Sequence, residues 1–292
     1  MNMHLFQHII AREVHYMAQA GRRIALHAWR PQRPQGAILY FHGLQSHAGW
    51  LWSVGNAFAN LGIAFYALDR EGCGISSGQK HQFPDVRTLH EDARAAIDHI
   101  RREVPDDIPL SLFGHCLGGS VLAAIASCAY GELPYDNLVI CSAWLGKMHD
   151  RLSEHERADI DLDDRQSLWH AGLNAEDFTA NPHLIEFIRN DALATTHLQH
   201  RERKKLLALE KIYLAADAQP IDAPSLFICG DKDPLVDVNA SVRHFQRLCT
   251  NGSTLLVNQD KHYLFFTSAM GQIVQFTADF VKANGRLAYD AA

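Results

Sequence analysis

The chain is 292 residues long, 47% hydrophobic and 21% charged, which excludes a disordered protein and allows a sizeable core. Its 27 basic and 33 acidic residues leave a formal net charge of -6, so no broad cationic field is offered to nucleic acid or anionic lipid, and no nucleic-acid partner is expected. Six cysteines, at positions 73, 116, 128, 141, 229 and 249, are scattered with no CxxC pair, the pattern of a reduced, cytoplasmic protein. The first residues show no cationic stretch leading into a long apolar one, and the apolar run 121–130 is about half of a membrane span, so neither a secretory signal nor an integral membrane segment is expected.

In chain order, 13–18 and 24–29 read as two strands around the turn Gln19-Ala20-Gly21-Arg22, because glycine tolerates the backbone angles of a tight turn. After Pro31 and Pro34 the pattern changes. Short apolar runs at 37–41, 63–68, 110–113 and 138–143 alternate with helical stretches at 50–61, 85–103 and 117–129. Such alternation predicts an α/β fold, a mostly parallel sheet with helices on both faces. It resumes with strands at 225–229 and 255–257 and a last helix over 269–283.

Between these halves lies a polar stretch with an acidic run at 159–164, helical spacing of Leu184, Ile185 and Ile188, and a helix over 206–214. A connection this long does not stay structureless. We expect a core of residues 1–144 and 217–292, and a strandless helical cap, or lid, of residues 145–216 over one sheet edge.

The hexapeptide Gly114-His115-Cys116-Leu117-Gly118-Gly119 stands between an expected strand and an expected helix. A strand turning sharply into a helix holds the middle residue in a strained conformation, and small neighbours two residues to either side leave room for the turn. The bend thrusts Cys116 outward, while the N-terminus of the helix favours its thiolate.

With Tyr40-Phe41-His42-Gly43-Leu44, Leu68-Asp69-Arg70-Glu71-Gly72-Cys73-Gly74-Ile75-Ser76, Gly230-Asp231-Lys232-Asp233 and Lys261-His262, the chain resembles the α/β-hydrolases. Within them it is similar to the monoacylglycerol lipase and lysophospholipase-like branch of the serine aminopeptidase S33 type, over about residues 10–284. That branch usually carries serine at the bend, so Cys116 is a departure. The resemblance implies Asp233 as the acid and His262 as the base, following the nucleophile in that order. Asp231, Asp237 and Asp260 compete for the acid's place. It also implies an oxyanion hole built from the backbone N–H groups of Leu44 and Leu117, with His42, Gly43 and His115 as supporting loop residues.

These residues point to acyl chemistry on an ester or thioester through a Cys-His-Asp triad and an acyl-enzyme. Hydrolysis comes first because the nearest resemblance is to lipases. The alternatives are an acyltransferase or cyclase that passes the acyl group to an alcohol or amine, and a binder that has lost turnover. The run Arg201-Glu202-Arg203-Lys204-Lys205 could meet an anionic carrier such as coenzyme A or a carrier-protein arm, or it is a solvated face. Trp50, Trp52, Trp144 and Trp169 could line an acyl pocket, and Cys73 is a second thiol near the mouth or a small loop residue. No metal site and no cofactor are expected, since the zinc-protease, P-loop and dinucleotide motifs are missing.

Overall fold

The computed structural model describes residues 7–285. An eight-stranded sheet forms the centre of the fold. The first two strands, β1 (Glu13–Gln19) and β2 (Arg22–Trp29), form an antiparallel hairpin, and β2 pairs antiparallel with β4 (Ile63–Leu68). From β4 the sheet is parallel through β3 (Gly36–Phe41), β5 (Leu110–His115), β6 (Asn137–Cys141), β9 (Ser225–Gly230) and β10 (Gly252–Val257). The five central strands are buried at every residue. That is why they read as continuous apolar runs rather than alternating ones: helices cover both faces.

Two apolar layers flank the sheet. One gathers α2 (Val86–Arg101), α3 (Leu117–Ser127) and α9 (Val238–Leu248), the other α1 (Trp52–Asn60) and α10 (Met270–Ala283). Sequence reading passed over α9, although Asp237 caps its start by accepting from the Ala240 N–H and Val238, Val242 and Phe245 recur on one face. Its short, mixed stripe is easily taken for loop. The helix expected over 50–61 is instead a one-turn 3-10 segment, Ala48–Leu51, followed by α1.

Residues 145–216 hold α4 (Lys147–Arg151), α5 (Glu154–Asp161), α6 (Ala175–Phe178), α7 (Pro182–Asn190) and α8 (Arg203–Leu214). The expectation of a strandless stretch is corrected. Two three-residue strands, β7 (Leu168–His170) and β8 (His197–Gln199), pair antiparallel, with Trp169 opposite Leu198. Strands this short carry no readable period, and their pairing partner lies more than twenty residues away in sequence. Among the described residues no helix is long and apolar enough to cross a membrane.

Candidate active site

Parallel strands deliver their C-terminal ends to one edge of the sheet. There Leu44 follows β3, Cys116 follows β5, Asp233 follows β9 and His262 follows β10. The bend at Cys116 has φ +54° and ψ -122°, a conformation that residues with a Cβ rarely adopt and that surrounding packing must hold. Here the packing does so with glycine: a Cβ at Gly118 would lie 2.0 Å from the Phe41 carbonyl oxygen, and one at Gly114 2.4 Å from that of Gly118. The start of α3 is thereby pressed against the end of β3. The Cys116 N–H donates to the Cys141 carbonyl at 2.9 Å, and the side chain is partly exposed toward a cavity.

His262 is buried. Its Nδ1–H donates to Asp233, at 2.9 Å from Oδ2 and 3.0 Å from Oδ1, and Asp233 Oδ1 also accepts from the Leu235 N–H at 2.9 Å. The Phe178 ring meets the imidazole edge-on at 5.6 Å. The competing aspartates lie elsewhere: Asp237 caps α9, Asp231 accepts from the Gln259 N–H, and Asp260 borders a different surface hollow. Fixing Nδ1–H on Asp233 leaves Nε2 as the free, basic nitrogen. That nitrogen makes no hydrogen bond of ordinary geometry among the described residues, and the groups that act on the ring to hold it charged are Cys116 and Asp233.

Burial by itself holds the Cys116 thiol up, but the His262 imidazolium, Lys147 and the Leu117 N–H outweigh it and bring the thiol below its ordinary value. Burial likewise pushes the His262 imidazolium down, and the Cys116 thiolate and Asp233 more than reverse this, raising it. The two shifts describe one coupled pair that favours thiolate and imidazolium together. Asp233 stays ionised because the bond and charge of His262 overcome its burial.

The loop after β3 is set by polar contacts. The Gly43 carbonyl accepts from His42 Nδ1–H at 2.8 Å and faces the Arg70 guanidinium at 3.4 Å. A trans peptide places its N–H opposite its C=O, so the Leu44 N–H points away from Arg70, and among the described residues it donates to nothing. A Cβ at Gly43 would come within 3.1 Å of Cys116 Cβ, so glycine is what lets this loop approach the bend. Leu117, at the first position of α3, also has an N–H outside the helix ladder. His42 Nε2 accepts from the Arg70 N–H at 3.0 Å, and burial holds this imidazole neutral, its pKa lowered to about 3. His115, buried beside Tyr263 at 4.7 Å between ring centres, is likewise lowered to about 3 by burial. Both are therefore buried as neutral rings.

A cavity of about 460 Å³ opens beside Cys116 and His262, with Leu44, Leu117, Trp144 and Trp169 among its walls. Of the four tryptophans expected at an acyl pocket, only these two face it. Trp50 is fully buried in the core, and Trp52 borders the other hollow. Cys73 is buried too, with the Arg70 guanidinium 3.3 Å from its sulfur, so it is a packed loop residue and not a thiol at the mouth. The cationic run is largely neutralised: Arg203 pairs with Asp163, Lys205 with Glu202 and Lys204 with Asp164. Sequence reading missed Asp191, which holds His47 at 2.9 Å and the Trp50 indole N–H, tying residues 145–216 to the loop after β3. A lone loop aspartate gives no signal of so distant a contact.

A mostly parallel sheet with a strained strand-to-helix bend and an aligned His-Asp pair at its C-terminal edge is the architecture of an α/β-hydrolase, and the chain is an enzyme of that class. Residues 32–267 match the serine aminopeptidase S33 family, and the chain belongs to it. It is 25% identical over 261 residues to the monoacylglycerol lipase of Mycolicibacterium smegmatis, covering 87% of this chain and 90% of that protein. Among solved structures, a soluble variant of monoglyceride lipase from Saccharomyces cerevisiae, in complex with a substrate analog, shares the fold with a TM-score of 0.80 at 14% identity, covering 96% of this chain and 98% of the other. The monoacylglycerol lipase of Paleococcus ferrophilus shares it with a TM-score of 0.71 at 22% identity, covering 89% and 99%.

Proposed function

We propose that this ester-hydrolysing enzyme cleaves single-chain acyl esters, of the kind named for its monoacylglycerol lipase relatives, through a covalent thioester on Cys116. The observation that carries the reading is the strained bend itself, which aims Cys116 into the cavity beside an imidazole whose other nitrogen is fixed by Asp233. The thiolate attacks the ester carbonyl, and the new oxyanion takes the N–H groups of Leu44 and Leu117. As the C–O bond breaks, His262 gives its Nε2 proton to the departing alcohol. Water then enters, His262 takes one of its protons, and hydroxide attack on the thioester carbonyl releases the carboxylic acid and the Cys116 sulfur. Asp233 stays ionised throughout and holds the ring. Residues 145–216 act as the cap that closes the apolar part of the cavity, and the six free cysteines suit a reducing compartment such as the cytoplasm.

Acyl transfer is the second reading, and the sulfur favours it. A thioester intermediate lies close in energy to a thioester donor, on coenzyme A or a carrier protein, and amines attack it readily. Intact-mass analysis after mixing with p-nitrophenyl octanoate, with and without glycerol or a primary amine, tests both. The expected result is an octanoyl adduct on Cys116, missing in Cys116→Ala and released as the free acid. Release as ester or amide instead makes the enzyme a transferase, and an unmodified Cys116 with tight substrate binding makes it a binder.

A further inference from the structure

The charged groups around the cavity divide into two sets. Arg203 is held by Asp163 at 2.8 Å, and the Glu210 carboxylate is taken up by the N–H groups of Met148 and His149 and by His149 Nδ1 at 2.7 Å. Lys147 and Arg151 differ. Both line the cavity, and among the described residues neither pairs with a carboxylate: Asp150, between them in sequence, faces the Trp144 indole N–H and His244. Four residues apart on α4, they share a face. That face lies over Trp144, with the Lys147 nitrogen 5.3 Å and the Arg151 guanidinium carbon 5.8 Å from the ring centre. A π-face steadies a cation without cancelling its charge. The buried Glu210, gripping the first turn of α4, fixes the helix that presents them. Two uncancelled cations thus sit at the wall of a cavity whose other charged side chains, Arg203 and Glu210, are already held by partners, in a protein whose net charge is -6. Lys147 is near enough to the reacting sulfur to draw its pKa down.

We propose that Lys147 and Arg151 form an oxyanion subsite, so that the preferred ester or thioester carries a carboxylate or phosphate group on the part of the molecule that lies along Trp144. The proposal rests on the acyl-ester reading above and names its substrate class. The two cations supply point charge and a planar donor fork, which suit either group. The carboxylate would belong to the acyl chain, and the phosphate to the alcohol or carrier side.

The test compares two pairs matched in acyl-chain length: monoethyl suberate against ethyl octanoate, and octanoylglycerol phosphate against octanoylglycerol. In at least one pair the anionic ester is expected to exceed its neutral partner by about 10- to 100-fold in kcat/KM, the range that charge-assisted hydrogen bonds supply. The responding pair identifies the group. The anionic-to-neutral ratio is expected to fall several-fold in Arg151→Met, to approach one in the Lys147→Met/Arg151→Met double variant, and to recover in Arg151→Lys. A ratio near one for both pairs in the unaltered protein, or a preference that survives in the double variant, overturns the subsite. Should none of the esters acylate Cys116, the hydrolase reading fails on its own. The subsite is then read by protection of Cys116 from iodoacetamide by suberate monoester or glycerol phosphate: protection lost in the double variant upholds it, and the absence of protection overturns it.

Discussion

At the scale of single residues, Cys116 and His262 cannot be treated as independent titrating groups. With the thiol lowered and the imidazolium raised, the thiolate is present above the lowered thiol value and is lost only as pH falls through it. An ordinary thiol of pKa about 8.5 loses about 50-fold of its thiolate between pH 8.5 and 6.5. The iodoacetamide rate at Cys116 is expected to fall by clearly less over the same interval. In His262→Ala the shallow dependence should vanish, because burial without the imidazolium pushes the thiol up. A steep, ordinary profile in the unaltered protein would remove the ion pair. Asp233→Asn keeps the packing but favours the wrong tautomer of His262. Acylation is expected to slow by about 10³- to 10⁴-fold, measured as burst rate on p-nitrophenyl octanoate with circular dichroism unchanged.

At the scale of elements, the site depends on contacts between pieces far apart in the chain. The loop after β3 is pinned from below by Asp69, which accepts from the Ala48 N–H at 2.7 Å and the Ile75 N–H at 2.9 Å and meets His27 at 3.1 Å. From above it is pinned by Asp191 through His47 and Trp50. Burial raises the Asp191 carboxyl, but its bonds to His47 and Trp50 outweigh that and bring it down to about 2. The stabilisation it gives is therefore complete above its unfolded value near 3.8 and is lost as pH falls toward 2. Asp191→Ala leaves the buried Trp50 indole N–H unsatisfied. It is expected to cost about 2–3 kcal/mol in chemical denaturation and to slow acylation by loosening the Leu44 loop. An unchanged unfolding midpoint would refute the tether.

At the scale of the whole molecule, five of the six thiols are sealed in the fold and one is not. Cys73, Cys128, Cys141, Cys229 and Cys249 are buried, and Cys116 alone among the cysteines is partly exposed. Burial pushes Cys249 up to about 11, and Cys141 and Cys229 still higher. Brief treatment of the native protein with iodoacetamide is therefore expected to add one equivalent, located at Cys116, against six after denaturation. Two or more equivalents added at equal rates would show that the core opens more readily than this packing allows.

Hydrophobic periodicity and turn chemistry are local, so the sequence by itself determined the order of the main sheet's strands and of most of the helices beside them, the bend at Cys116, and the positions of Asp233 and His262 after their strands. The central strands are legible because burial on both faces demands unbroken apolar runs. Through-space matters were decided only by the tertiary structure. Asp233 is the carboxylate that meets His262, while Asp231 is taken by the Gln259 N–H and Asp237 by the start of α9. Trp50 went to the core while Trp144 reached the cavity. The short ribbon of β7 and β8, the Asp191 tether and the grip of Glu210 on α4 join residues whose partners lie far off in the chain. A one-dimensional pattern records what each residue prefers, but which groups end up neutralising one another depends on distances that exist only after the chain has closed on itself.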